Sequence, residues 1–464
     1  MGIPAARHNK NFERMILLME KLFKLKEHNT NVRTEIIGGL TTFFAMAYIL
    51  FVNPMYLSQA GMNWGSVFTA TCVASAVGCL LTAFLANVPF AQAPGMGLNA
   101  FFTFTVCFGM GYTYQQALTI VLLSGILFLI IAVSPLRDKI INSIPASLKA
   151  AISAGIGLFI AIIGFLNSGT GIMKLDEANN ITGLQFTLNE AVNYNGMIIL
   201  LGIIIIACLM AWKVKGSIFI GIIATTVLYY AIGIPTGNVA APEITFNFSN
   251  ITLSGTFFAF DFGGIFSKGV LPLITAVISF GLVDCFDTIG TLVGTAGGAG
   301  MLDKDGKLEG GSKALIADAI ATCTGACLGT STVTTYVESS AGISEGARTG
   351  LSSLTVAILF ILALILAPIA GLIPGAATAP ALIIVGMLMM KGVVKVAWDN
   401  VEDAIPAFLT ISVMPFGYSI SDGIGFGFIS YVIIKMVRGK FKDIPVLMYV
   451  VSAIFIVSYI LKNI

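Results

Sequence analysis

Asp284 and Asp287 stand three positions apart in GLVDCFDTIG (281–290), inside one of the long apolar runs of the chain. Two further acids, Asp318 and Glu338, share that setting, and no Lys or Arg lies in the same runs except at their ends. An ionisable side chain at the centre of a membrane-spanning helix costs roughly 2.5–3.5 kcal/mol on insertion scales, so these positions are read as functional. On a helix Asp284 and Asp287 lie about 60° apart and share a face with Gly281, Thr288, Thr291 and Gly294, whereas Leu282, Val283, Ile289 and Val293 lie off it. A stripe this small and polar must face protein rather than lipid. Glu338 stands just before a short helical stretch, where the helix dipole favours its charged form and burial its neutral one.

What is absent narrows the chemistry. The only histidines, His8 and His28, lie in the N-terminal tail, so any coupled proton must ride on a carboxylate. No cation faces the acids, which leaves an anionic substrate such as sulfate or a dicarboxylate without a counter-charge. A neutral solute rich in N–H donors suits them better, with the Asn99 amide as a further partner. No GxxxxGK[ST] occurs, so direct drive by ATP is not expected. The seven cysteines fall almost entirely inside apolar runs without a CxxC pair and read as small buried thiols; no metal site and no enzyme activity are expected. An intramembrane aspartyl protease would need YD on one helix and GxGD on the next, whereas here both aspartates share one helix.

The elements that position these residues are membrane spans. Of 464 residues, 57% are hydrophobic and only 10% charged, with a mean hydropathy of +0.94, far from the roughly 25% charge of a soluble domain. Apolar runs of spanning length recur throughout. We read fourteen spans, the third near 92–109, the eighth near 269–297 and the tenth near 332–347, with a further apolar run at 445–461 whose crossing the sequence leaves open. If the N-terminal tail is cytoplasmic, all 25 Lys and Arg except Lys174, Lys268 and Lys462 fall on the cytoplasmic side, as the positive-inside rule requires. The net charge of +2 carries no message about nucleic acid.

Residues 125–136, GILFLIIAVSPL, are echoed by residues 357–369, AILFILALILAPI, seven spans later. An odd offset means halves of opposite orientation, the inverted repeat of secondary transporters. The third span opens FAQAPGMGLNAFF (90–102) and the tenth STVTTYVESSAGISEG (331–346). Each predicts a short strand leading into a half-helix, the second capped by Ser339 or Ser340. Irregular backbone at membrane depth is tolerated where it lines a cavity, so the two breaks predict a site between them.

The motifs GGLTTFFAMAYILFVNP (38–54), AQAPGMGLNAFF (91–102), GLVDCFDTIGTLVG (281–294) and TSTVTTYVESSAG (330–342) together resemble the azaguanine-permease-like purine transporters, which carry guanine, hypoxanthine or adenine. They are a branch of the nucleobase–cation symporter-2 (nucleobase/ascorbate transporter) family. The resemblance runs from about residue 33 to 440. It implies an all-α polytopic protein with the uracil-permease fold, fourteen helices in two inverted seven-helix repeats. Its divisions would be a cytoplasmic tail (1–35), a core domain (36–135 and 269–371), a gate domain (136–233 and 372–464) and an extracellular loop (234–268). It implies a proton-coupled importer of purine nucleobases in the cell membrane, working by an elevator-like shift and assembled as a homodimer, with no cofactor besides the coupling H⁺. An anion carrier of the same architecture is the alternative. By the resemblance Asn99, Asp284 and Glu338 contact substrate, joined by Gln92 and Tyr336 from the two strands, and Asp284, Asp287 and Glu338 are the candidates for proton coupling. Asp284 should then face the cavity opposite Glu338 and Asn99, with Asp287 one turn deeper.

Overall fold

The structure, a computed structural model, describes residues 18–134, 143–167, 171–175, 181–186, 193–242, 251–304 and 307–462. The start of the tail, with His8, and the basic connection holding Arg137 and Lys139 lie outside the described residues, as does the expected boundary at 135/136.

Among the described residues nine helices are long and apolar enough to cross a membrane, which makes this a multi-pass membrane protein. The first span is Val32–Gln59, divided into α1 (Val32–Met46) and α2 (Ile49–Gln59). At the division the amides of Leu50 and Phe51 bond back three residues, to Ala47 and Tyr48 at 3.2 and 3.1 Å, a tighter 3₁₀-like turn. Pro54 in α2 lacks the N–H that would bond the Leu50 carbonyl, which weakens the same turn. Helix α3 (Trp64–Leu81) is started by Asn63, whose Oδ1 accepts from the Ser66 amide at 3.0 Å.

Strand β1 (Gln92–Pro94) follows, then α4 (Met96–Ala100), which continues as a π-helical segment Phe101–Gly109. Helix α5 (Tyr114–Val133) opens with a capping box in which Thr113 and Gln116 bond each other's backbone amides. Helices α6 (Ala146–Asn167), α7 (Tyr194–Ala211) and α8 (Ser217–Gly233) complete the first half. A hairpin of β2 (Gly171–Leu175) and β3 (Ile181–Phe186), which the sequence reading did not foresee, joins α6 to α7.

The second half holds α9 (Val270–Gly298), α10 (Gly311–Leu328), β4 (Val333–Thr335), α11 (Ser339–Ser344) and α12 (Gly350–Ala363, extended by a 3₁₀ turn to Ala370). Then come α13 (Gly375–Met389), α14 (Val401–Phe416), α15 (Ile420–Val437) and α16 (Val446–Lys462).

Two sets of helices pack chiefly among themselves. Helix α12 lies on α1 and α3, α10 on α3 and α5, and α9 on α5. Separately, α13 lies on α6, α7 and α8, while α14 lies on α6 and α15. Fully buried Glu35 ties α1 to the start of α12 by accepting from the amides of Arg348 (2.7 Å), Thr349 (3.2 Å) and Ser352 (3.2 Å). A carboxylate at a helix start satisfies amides that lack intrahelical partners.

The two strands meet although about 240 residues of chain separate them. They run antiparallel with Gln92 opposite Thr335, Ala93 opposite Thr334 and Pro94 opposite Val333, and all six residues are buried. The ladder is extended by Tyr336 N to Ala91 O (2.9 Å) and Gly95 N to Thr332 O (3.0 Å). A buried two-stranded ribbon has two outer edges to satisfy. Cys79 of α3 meets the Gln92 amide at 3.2 Å, and the Thr322 hydroxyl of α10 lies 2.9 Å from the Val333 carbonyl. Gly95 is required where the strands cross, because a Cβ there would sit 2.5 Å from Thr334 Cγ2.

Candidate functional site

Beyond the ribbon each strand turns into a short helix, and the residues at these turns form the outer part of the site. Glu338 is the N-cap residue of α11, but its side chain does not cap the helix. Nor does Ser339, one of the two expected caps: its Oγ accepts from the Ala91 amide at 3.0 Å and so holds the two strands together. The Glu338 carboxylate is free to accept elsewhere, and Tyr48 Oη donates to its Oε1 at 2.5 Å. The rings of Tyr48 and Tyr336 lie 6.5 Å apart at 40°, and Tyr336 Oη donates to the Pro94 carbonyl at 2.5 Å. Asp287, half-buried like Glu338, is near enough for the two charges to act on each other. The outer group is thus two partly accessible carboxylates beside two aromatic rings.

A second group lies behind the ribbon and is sealed from solvent. Side chains alternate across a strand pair, so Gln92 and its ladder partner Thr335 emerge on the same face. Both reach Asp318 of α10: Thr335 Oγ1 donates to its Oδ1 at 2.8 Å, and Gln92 Nε2 at 3.2 Å. Thr334, one residue along, meets Thr288 of α9, hydroxyl to hydroxyl, at 2.8 Å. Thr322, one turn beyond Asp318 on α10, donates to Asp284 Oδ2 at 2.9 Å. Asp284, Asp318 and Gln92 are all fully buried. Among the described residues one oxygen of each meets no partner: Asp284 Oδ1, Asp318 Oδ2 and Gln92 Oε1.

Asn99 of α4 is fully buried; its Oδ1 accepts from Ser331 Oγ, and its Nδ2 meets no partner among the described residues. An unpaired buried amide costs free energy, on the order of 1–3 kcal/mol, unless a ligand or water meets it.

The structure therefore distributes the expected residues over two places. Glu338, Asp287 and Tyr336 gather in the outer group, while Asp284 and Gln92 sit with Asp318 behind the ribbon. The depth order on α9 is the reverse of the expected one. Asp284 accepts from Thr322 and is wholly buried, whereas Asp287, about 60° around the helix, is half-buried. Tyr48 was not singled out in the sequence, although it is a polar ring in the middle of an apolar span and just ahead of Pro54. Thr322 was legible as the i+4 neighbour of Asp318 on a helix. The ammonium of Lys149 on α6 lies 5.4 Å from the ring centre of Phe286, the residue before Asp287.

Comparison with known proteins agrees with this architecture. The model of the Permease family matches residues 33–426. The guanine/hypoxanthine permease PbuO of Bacillus subtilis is 43% identical over 444 residues, spanning 94% of this chain and 99% of that protein. Its counterpart PbuG is 41% identical over 457 residues (95% and 99%). The adenine permease AdeP of Escherichia coli is 39% identical over 445 residues, with 96% of each chain covered. Among solved structures, the transmembrane domain of the cyanobacterial bicarbonate transporter BicA superposes with a TM-score of 0.62 at 15% identity, covering 87% of this chain and 97% of that one. SLC26A9 gives 0.64 at 12% identity, covering 93% and 71%. At such low identity the likeness is one of fold alone.

Proposed function

This chain belongs to the Permease family, in company with guanine/hypoxanthine and adenine permeases, and on that premise we propose that it imports purine nucleobases across the cell membrane in symport with protons. The observation that carries the reading is the outer group. Two carboxylates, Glu338 and Asp287, accept hydrogen bonds from ligand N–H groups, and two rings flank the position where a planar base would stack. Asn99 Nδ2, buried and unpaired, fits an acceptor on the base edge. Gln92 contributes through the strand that it anchors, and Tyr336 through its ring. Asp284, Asp287 and Glu338 are the acids available to carry the coupled proton.

The mechanism that suits this arrangement is an elevator-like shift. The set of helices that carries the ribbon would move against the set built on α6 and α13, in a scheme of fourteen spans forming two inverted repeats. A cytoplasmic N-terminus and a homodimer joined through the gate helices belong to the same reading. An anion carrier of this architecture is not favoured: the site holds carboxylates, and it offers an anion no paired cation.

The test is uptake of radiolabelled hypoxanthine into proteoliposomes, competed by unlabelled adenine, guanine, xanthine and uracil, with and without an imposed pH gradient. The expected result is competition by purines and stimulation by an inward proton gradient. Uptake that sulfate competes and purines do not would reject the assignment.

A further inference from the structure

A cavity of about 890 Å³ opens at one end of the helix bundle, and none of the site residues described above lines it. Its walls are the tail segment 22–29, the end of the span Trp64–Ala86 with the two residues that follow, the approach to α10, and Arg348 just before α12. The tail is fastened there by packing and by hydrogen bonds. Phe23 and Leu25 are buried against Ala83 and Leu351. Asn87 Nδ2 donates to the Phe23 carbonyl at 3.0 Å, while its Oδ1 accepts from the Gly350 amide at 2.9 Å. Thr30 Oγ1 donates to the Gly346 carbonyl at 3.4 Å. One wall is closed by backbone alone: Gly310, at φ 76°, lies so near the end of the span that a Cβ there would sit 2.3 Å from the Ala86 carbonyl oxygen.

The lining has two characters. One side is apolar and open: Leu22, Phe84 and Leu85 are 53%, 56% and 39% exposed. Leu18 and Leu80, each one turn earlier on the same helical stretches, continue this strip and are exposed as well. The strip ends a membrane span, so it stands at the edge of the hydrocarbon. The other side is basic. Lys24 and His28 come from the tail, Lys313 from the first turn of α10, and Arg348 from the turn before α12. Glu27 and Glu309 share this wall, and Lys24 engages Glu27 at 3.0 Å. Lys313 meets no acid among the described residues.

A ligand that satisfies both sides has a negative head and an apolar body. A small free phosphate would use the basic wall and leave the apolar strip bare. We propose that this cavity binds an anionic phospholipid, its phosphate against Lys24, Lys313 and Arg348 and its acyl chains along Leu22, Phe84 and Leu85. The bound lipid bridges the tail to α3, α10 and α12 and so clamps the tail to the helices that carry the ribbon. The assignment holds whichever solute the protein carries.

The experiment uses the full chain in detergent, with lipid retention read by native mass spectrometry and affinity by titration of phosphatidylglycerol against thermal unfolding. Wild type should retain phosphatidylglycerol in preference to phosphatidylcholine and be stabilised by it. The double variant Lys24→Gln, Lys313→Gln should bind it more weakly by about thirtyfold, from roughly fivefold for each lysine beside an anionic headgroup. The same exchange at the exposed Lys391 and Lys395, outside the cavity, should leave the affinity unchanged. Phe84→Gln should weaken phosphatidylglycerol and leave the weak binding of glycerol 3-phosphate, the headgroup fragment, as it is. Wild-type affinity in the Lys24, Lys313 double variant would overturn the proposal, and so would unchanged lipid affinity in Phe84→Gln. Glycerol 3-phosphate bound as tightly as the lipid would make this a site for small phosphates and overturn the lipid assignment. Equal retention of the two phospholipids by wild type would overturn it without recourse to any variant, so the test survives a variant that does not fold.

Discussion

At the scale of single residues the outer group turns on Tyr48. Its hydroxyl donates to the Glu338 carboxylate, and it comes from a different span, at the turn where α1 gives way to α2. A hydrogen bond to a charged group contributes about 1.5–3 kcal/mol. Tyr48→Phe keeps the ring but releases Glu338, so purine affinity should fall by about tenfold or more. Equilibrium binding of radiolabelled hypoxanthine checks this, and unchanged affinity would remove Glu338 orientation from the account. The sequence made the acids legible because a carboxylate in an apolar run is conspicuous. It hid Tyr48, since a tyrosine among phenylalanines carries no such contrast. It also concealed the depth order of Asp284 and Asp287: two residues 60° apart on a helix share a stripe, and only the neighbouring helices decide which of them is sealed.

At the scale of elements the half-helices were legible from Pro94, Gly95 and the β-branched run before Tyr336, but their pairing was not. Register between strands this far apart depends on how several helices pack, and three residues carry no periodicity to announce it. The junction of α14 and α15 shows a different device. Glu402, nearly buried at the start of α14, meets Lys435 at 2.6 Å, Lys440 at 2.7 Å and Arg438 at 3.3 Å. Lys435 is itself only 13% exposed. Removing the shared acid leaves that ammonium without its counter-charge, which is worse than lacking the pair altogether. Glu402→Gln should therefore lower the melting temperature of the detergent-solubilised protein, and adding Lys435→Met should restore part of the loss. Equal melting temperatures for all three proteins would refute this.

Outside the membrane, Asp261 ties the loop before α9 to the start of α5, accepting from the Gly264 amide at 2.8 Å and from Gln116 Nε2 at 3.0 Å. These two donors hold its carboxyl below the usual carboxylate range. A lowered value means that its contribution is full above the ordinary value near about 3.9 and fades as the pH falls through the lowered one. The melting-temperature gap between wild type and Asp261→Ala should thus be constant from pH 8 to pH 5 and shrink only below that range.

At the scale of the whole molecule, the topology expected from the sequence rests on charge placement, because Lys and Arg stay on one side whatever the helices do inside. It was silent on the terminal run, which has a single charge at its end, Lys462. Packing supplies what charge does not. Tyr449, near the start of α16, donates to the Phe441 carbonyl just beyond the end of α15 at 3.2 Å. Tyr459, near the end of α16, donates at 3.3 Å to the carbonyl of Asp422 at the start of α15. Along the way Phe455 and Tyr459 close on Gly425, where a Cβ would lie 2.7 and 2.3 Å from their rings and hydroxyl. Helix α16 therefore runs antiparallel to α15 along its whole length, and α15 is one of the nine spans. A helix that shadows a span from end to end should share its depth, and the prediction is that the terminal run crosses the membrane instead of lying on it. The loop between them, 438–445, and the end of α16 must then face opposite sides. Single cysteines at Gly439 and after residue 464, in a background lacking the exposed native thiol Cys208, should react with a membrane-impermeant maleimide from opposite faces of sealed vesicles. Labelling of both from one face would return α16 to the surface.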